Sequence, residues 1–362
     1  MRSFRFSITP RLAAGQRIPA IDELKGLALV LVLLYHGGGV LGAPNVIHGE
    51  IGVDIFLILS GLALAVNSAD LPLRQFLKRR FLRIYPSYWI ALGLFLWMHA
   101  RYLGVVRPWS SVAQHVVGVH GFTGPEYITD IVDAYWFISL IVFSYVAFAC
   151  IRRRLDDLSL VVAVTGVLTV LATLLFQRQG NASGLAHLSL RFPSFFVGVI
   201  AGRLLGAGTA EIRLNLSLGI GLLCFYFLTF FLSAPNTYTL PAVGIIVAWV
   251  GLRPLVVRLP AGRAFLGALA FSGLISYEVY LFHAPLIRDY NLYYWHVIAH
   301  NLAPTRGQIM EGMLVALGIT LVLSIAVHFL VGWLFSVLRS REIKGHDPTS
   351  GPVGPPGVMP VG

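Results

Sequence analysis

The sequence predicts an all-α polytopic membrane protein with about ten transmembrane helices and both termini in the cytoplasm. Three observations carry this. Hydrophobic residues make up 57% of the 362 and charged residues 12%, a balance outside the range of soluble globular domains. Apolar runs of about 20 residues recur along most of the chain, the length a helix needs to cross a bilayer. Lys and Arg are also sided. With ten spans, 21 of the 27 fall on the face holding both termini and 6 on the other, and the richer face is cytoplasmic by the positive-inside tendency. That siding accounts for the net charge of +11 without a nucleic-acid partner.

Spans are expected at 24–43, 51–69, 86–106, 136–151, 158–177, 193–210, 214–232, 240–252, 264–286 and 309–338. Residues 1–20 form a cytoplasmic segment carrying Arg2, Arg5, Arg11 and Arg17. The apolar run after it is long enough to span, so it reads as a retained helix and not a cleaved signal. The membrane domain occupies 21–340, and the Gly- and Pro-rich tail at 341–362 reads as disordered. The outer connection at 107–135 holds His115, His120, Glu126, Asp130 and Asp133. No metal-ligand spacing stands out there, so it reads as a solvated polar loop and no metal is expected. Cys150 and Cys224 both lie in apolar segments, which argues against a disulfide framework.

The first two spans contain the most unusual chemistry. The first reads IDELKGLALVLVLLYHGGGVLG, with His36 deep inside it. An ionisable side chain at the centre of a membrane helix costs about 2.5–3.5 kcal/mol on insertion scales, so it usually has a function; a hydrogen-bonded structural histidine is the plainer alternative. Lys25 and His36 are eleven residues, or three turns, apart and share a face, about 16 Å along the helix. The second span, in the stretch HGEIGVDIFLILSG, opens with Glu50 and Asp54.

Two further clusters stand out. At the cytoplasmic mouth the run KRRFLRIYP puts Arg80 and Arg83 one turn apart on one helix face. Paired guanidinium groups suit bidentate capture of phosphate, although a topology signal in contact with lipid phosphates would look the same. In span nine, SYEVYLFHAP places Ser276, Tyr280 and His283 on adjoining turns of one face and Glu278 within an apolar helix. A carboxylate there needs a partner or a proton. His328 in span ten reads as a packing residue.

These motifs occur in order: IDELKG with its YH, GVDIFLILSG, RRFLRIYP and SYEVYLFH. Together they resemble the bacterial membrane acyltransferase-3 family, whose members modify cell-surface glycans and lipids. The resemblance implies a cytoplasmic (inner) membrane enzyme of the cell envelope with acyl-CoA, most simply acetyl-CoA, as donor. It implies an essential transmembrane histidine, carried over as His36, and an Arg-x-x-Arg donor pair, carried over as Arg80 and Arg83. Glu278 and Asp54 join His36 as catalytic candidates, and Lys25 joins the donor site. Glu50, Tyr280 and His283 are candidates for holding the acceptor, a glycan or glycolipid beside membrane lipid. Two departures stand out. Lys25 replaces a more usual arginine and lacks its fork, and Ile141 and Val142 occupy a region that often carries a glutamate.

The residues suit that chemistry independently. Acyl transfer to a hydroxyl needs a base with a pKa near working pH, which histidine supplies. A carboxylate such as Asp54 or Glu50 would orient the ring. His36 would then act either as a general base or as a covalent acyl carrier. The competing expectation is a proton-coupled transporter or flippase, with His36, Asp54 and Glu278 forming a proton relay.

Overall fold

A computed structural model describes residues 19–42, 49–68, 70–123, 130–155, 157, 160–161, 163–165, 167, 191–206, 239–291, 294–295, 299 and 303–344. Every regular element among them is helical. Eleven helices organise the description. They are α1 (Pro19–Val40), α2 (Ile51–Asn67), α3 (Leu73–Met98), α4 (Trp109–Val117), α5 (His120–Thr123) and α6 (Trp136–Ile151). They continue with α7 (Phe192–Gly206), α8 (Thr239–Val256), α9 (Gly262–Leu274), α10 (Ser276–Ala284) and α11 (Arg306–Lys344). Five described segments are long and apolar enough to cross a membrane, six if α9 and α10 count as one broken span. Helices α2 and α7 are apolar but shorter. The span expected at 214–232 lies outside the described residues, and that at 158–177 mostly so.

Bare backbone sets the tightest helix pairs. Helix α2 packs along α7 and α1 along α9. A Cβ on Gly198 would sit 2.0 Å from the Ile58 carbonyl oxygen, and one on Gly61 2.1 Å from that of Phe195. Between α1 and α9, a Cβ on Gly26 would lie 2.1 Å from the Leu269 carbonyl oxygen. Helices in lipid gain little from burying apolar surface against one another, so such close approach is a main source of their association.

Three expectations are revised. The span expected to begin at Pro86 begins at Leu73, with Pro86 inside the helix. A helix interior tolerates this proline because neighbouring groups in a membrane bundle can satisfy the freed carbonyl. The expected span 264–286 is two helices, bent by 70° at Ile275. The 107–135 connection is not a solvated loop in its described parts. There α4 lies against α3, held by Tyr85 and Tyr88 hydroxyls that donate to the Val117 and His115 carbonyls at 2.7 and 2.8 Å. His115 and His120 are fully buried, and their rings stack 3.9 Å apart at 8°.

Candidate active site

A cavity of about 400 Å³ opens between α1, α2, α3, α6 and α10. Lys25, Arg79, Arg80 and Arg83 line it, so the continuous α3 delivers all three arginines of the RRFLR run to one space. Arg80 lies between the rings of Phe76 and Tyr145, with Cζ 5.9 and 5.7 Å from their centroids. Arg83 has Cζ 5.9 Å from the Tyr277 ring centroid. The buried Arg80 Nε–H has no hydrogen-bond acceptor among the described residues. Lys25 pairs with Asp22 at 3.3 Å. The cavity therefore carries cationic groups of which one has an unused buried donor, a chemistry that fits an anionic phosphate ester.

Tyr280 also lines this cavity. Its hydroxyl donates to the Ala134 carbonyl at 2.7 Å, and its ring lies 5.4 Å from the His283 ring. The His283 ring meets the His36 ring edge-on, with centroids 4.8 Å apart. His283 Nδ1 lies 2.8 Å from the Tyr280 carbonyl oxygen. A carbonyl can only accept, so Nδ1 carries the proton. The buried Nε2, without a partner among the described residues, then keeps the lone pair in the neutral ring.

Beyond the two histidines lies a charged layer. The charges that act on His36 are those of Asp133, Arg288 and Glu50. Arg288 pairs with Asp133 and, at 2.7 Å, with Asp289. Arg191, 0% exposed, donates to the fully buried Asp54 and to Glu50, the latter at 2.5 Å. Its guanidinium also lies over Trp136, 5.1 Å from the ring centroid. Ser194 completes the Asp54 shell with a 2.5 Å hydrogen bond.

The expected site residues thus separate into groups. Lys25, Arg80, Arg83 and Tyr280 share one cavity, and His283 joins it to His36. Asp54, expected beside the His36 ring, is held by Arg191 and Ser194; Glu50 is likewise bound to Arg191. Glu278 faces another way, accepting from Ser87 at 3.1 Å and lying 3.4 Å from His328 Nδ1. His328 is therefore more than a packing residue. Sequence reasoning missed Arg191, Asp133 and Arg288 as participants. Acidic Glu50 and Asp54 and basic Arg191 all lie at the N-terminal ends of their helices, and opposite charges at matching helix ends are a signal for pairing. Glu23 was missed too: Arg253 binds it through Nε and Nη2 at 2.7 and 3.0 Å.

A cation-lined cavity that reaches, through Tyr280, a pair of histidines in ring contact is suited to holding an anionic donor near a base. The chain belongs to the acyltransferase-3 family, whose profile, described as an acyltransferase domain, matches residues 18–337. It is an acyltransferase. Over 82 residues it is 35% identical to the peptidoglycan O-acetyltransferase OatA of Listeria monocytogenes serovar 1/2a (strain ATCC BAA-679 / EGD-e), covering 21% of this chain and 12% of that protein. The match thus spans about one-eighth of the Listeria protein. Over 308 residues it is 25% identical to the putative membrane-bound transacylase BcsY of Komagataeibacter xylinus, covering 76% of this chain and 74% of that one. No solved structure matches the chain.

Proposed function

We propose that this acyltransferase moves an acyl group, acetyl in the simplest case, from acyl-CoA to a hydroxyl of a cell-surface glycan or lipid-linked sugar. One observation carries the reading. The cavity that holds Lys25, Arg80 and Arg83 reaches Tyr280, and from there His283 and His36 follow in ring contact. Coenzyme phosphates rest on Arg80 and Arg83 at the cytoplasmic rim, and the thioester arm extends toward the histidines. The acceptor arrives from the outer side. Its hydroxyl gives its proton to His36 as its oxygen bonds to the thioester carbon. The C–S bond breaks, and the proton that His36 took is passed on to the coenzyme thiolate, which restores the neutral ring.

In this reading the chain has ten spans, with both termini in the cytoplasm, in the bacterial inner membrane. The membrane domain is 21–340, and residues 1–20 and 341–362 lie outside it. Glu278 supports the site through α3 and α11, and Asp54 fixes Arg191 at its outer edge. The name of the Listeria relative favours an O-acetyl product on a glycan. The test uses purified protein in lipid nanodiscs with radiolabelled acetyl-CoA and soluble peptidoglycan fragments. At acetyl-CoA well below the wild-type KM, label should pass to the fragments with wild type and roughly tenfold or more slowly with His36→Ala or Arg80→Ala. Equal transfer by all three would end the proposal.

A further inference from the structure

A second cavity, of about 320 Å³, lies between α11 and the wide turn Pro285–Tyr290 that continues α10. Its lining is graded. Tyr290, Asn291, Trp295 and Glu311 gather at one end; Leu286, Val315, Ala316 and Ile319 form the rest. From Glu311 to Ile319 the helix advances about 12 Å. In the proposed topology the polar end is the outer one. Asn291 Nδ2 donates to the Ile309 carbonyl at 3.1 Å, but three other polar atoms there are unused. Tyr290 Oη, Asn291 Oδ1 and Trp295 Nε1 are buried without hydrogen-bond partners among the described residues, and Asn291 as a whole is 4% exposed. Gly312 keeps the space open, since a Cβ there would sit 1.9 Å from Asn291 Oδ1 and 3.0 Å from Trp295 Nε1.

Leaving three buried polar atoms unpaired is costly, because each has lost its water without gaining a partner. A ligand that supplies both donors and acceptors would remove that cost. Sugar hydroxyls do both, and the half-exposed ring of Tyr294 at the rim offers a face for the sugar ring to lie on. A phosphate head is a poor match, because no Lys or Arg is among the described lining residues and Glu311 would repel it. The apolar remainder suits one hydrocarbon chain. The groove also adjoins the site. Leu286 lies about one turn beyond His283, and Met313 on α11 reaches to 2.8 Å of where a Gly37 Cβ would be.

We infer that this groove admits a sugar-headed lipid sideways from the outer leaflet and presents its hydroxyls toward His36. The inference rests on the acyl-transfer reading for its purpose but not for its test. The probe is a dodecyl glucoside with a diazirine in its chain, crosslinked to the protein in phosphatidylcholine nanodiscs and located by peptide mass spectrometry. Label is expected on the 306–320 segment. Excess dodecyl glucoside should cut it at least fivefold, and dodecylphosphocholine should not. Val315→Trp, which fills the groove from its exposed wall, should cut it at least fivefold. Val322→Trp, two turns further on the same exposed face, should leave it unchanged. Equal competition by dodecylphosphocholine, or full labelling of the Val315→Trp protein, would overturn the inference. Crosslinking needs no turnover, so a protein that labels as expected yet fails to use acetyl-CoA would refute the acyl-CoA reading and leave the groove standing.

Discussion

His36 and His283 form a pair that neither residue announces alone. General base catalysis by a positioned histidine is worth about 10²–10⁴ in rate, so His36→Ala should lower acetyl transfer by that factor without loss of folded protein, as read by labelled product per mole of enzyme. At the donor end, a hydrogen bond to a charged group contributes about 1.5–3 kcal/mol. Arg80→Ala should therefore raise the KM for acetyl-CoA roughly 10- to 150-fold. Arg80→Lys should recover only part, because the ammonium lacks the planar fork; initial rates against acetyl-CoA concentration check both. In the charged layer, Arg191→Ala strands the buried Asp54 carboxylate, and breaking such a pair costs about 3–5 kcal/mol. Its melting temperature should fall sharply, and Arg191→Met combined with Asp54→Leu should regain much of it. The sequence showed His36 and His283 as unusual because each is an ionisable group inside an apolar helix, and Arg80 and Arg83 by their spacing of one turn on one face. It did not show that Arg191 takes Asp54, because pairing across 137 positions leaves no periodic trace.

Among the elements, α3 and the α4–α5 connection were the least legible. Pro86 marks a probable helix start in sequence terms, yet the helix begins thirteen residues earlier and thereby brings Arg80 and Arg83 onto a rigid support. A polar loop with two histidines reads as solvated, because tyrosine donors that hold it to a distant helix cannot be seen from composition. Burial and the neighbouring His115 push the His120 ring down to about 3. Its folded pKa lies below the ordinary 6.5, so its stabilisation is full above pH 6.5 and lost progressively as pH falls toward about 3. His120→Gln should flatten the acid limb of the thermal stability profile between pH 6.5 and 4, measured by scanning fluorimetry. The helix pairs give a steric prediction. Gly198→Leu must push α7 off the Ile58 carbonyl, and the yield of folded, monodisperse protein should collapse on size exclusion.

At the scale of the whole molecule, the helical class and the membrane setting were readable from hydropathy alone. The number of crossings is set by how helices break and bend, which hydropathy averages over; the 70° turn at Ile275 lies within a single stretch that is apolar on average. The ten-span topology makes a simple prediction. Reporter fusions after residues 20 and 344 should both register a cytoplasmic location, and one within 105–108 an external one.

The bidentate clasp of Glu23 by Arg253 has a consequence for biogenesis. Its partners are 230 positions apart. At ribosomal speeds of roughly 5–20 residues per second, that separation is about 10–50 s of translation. For that interval the carboxylate of the first helix waits at the bilayer edge with only water, headgroups or the insertion machinery to attend it. Nascent chains truncated before residue 253 should therefore be preferred prey for membrane proteases, and survival should rise once that arginine has left the exit tunnel.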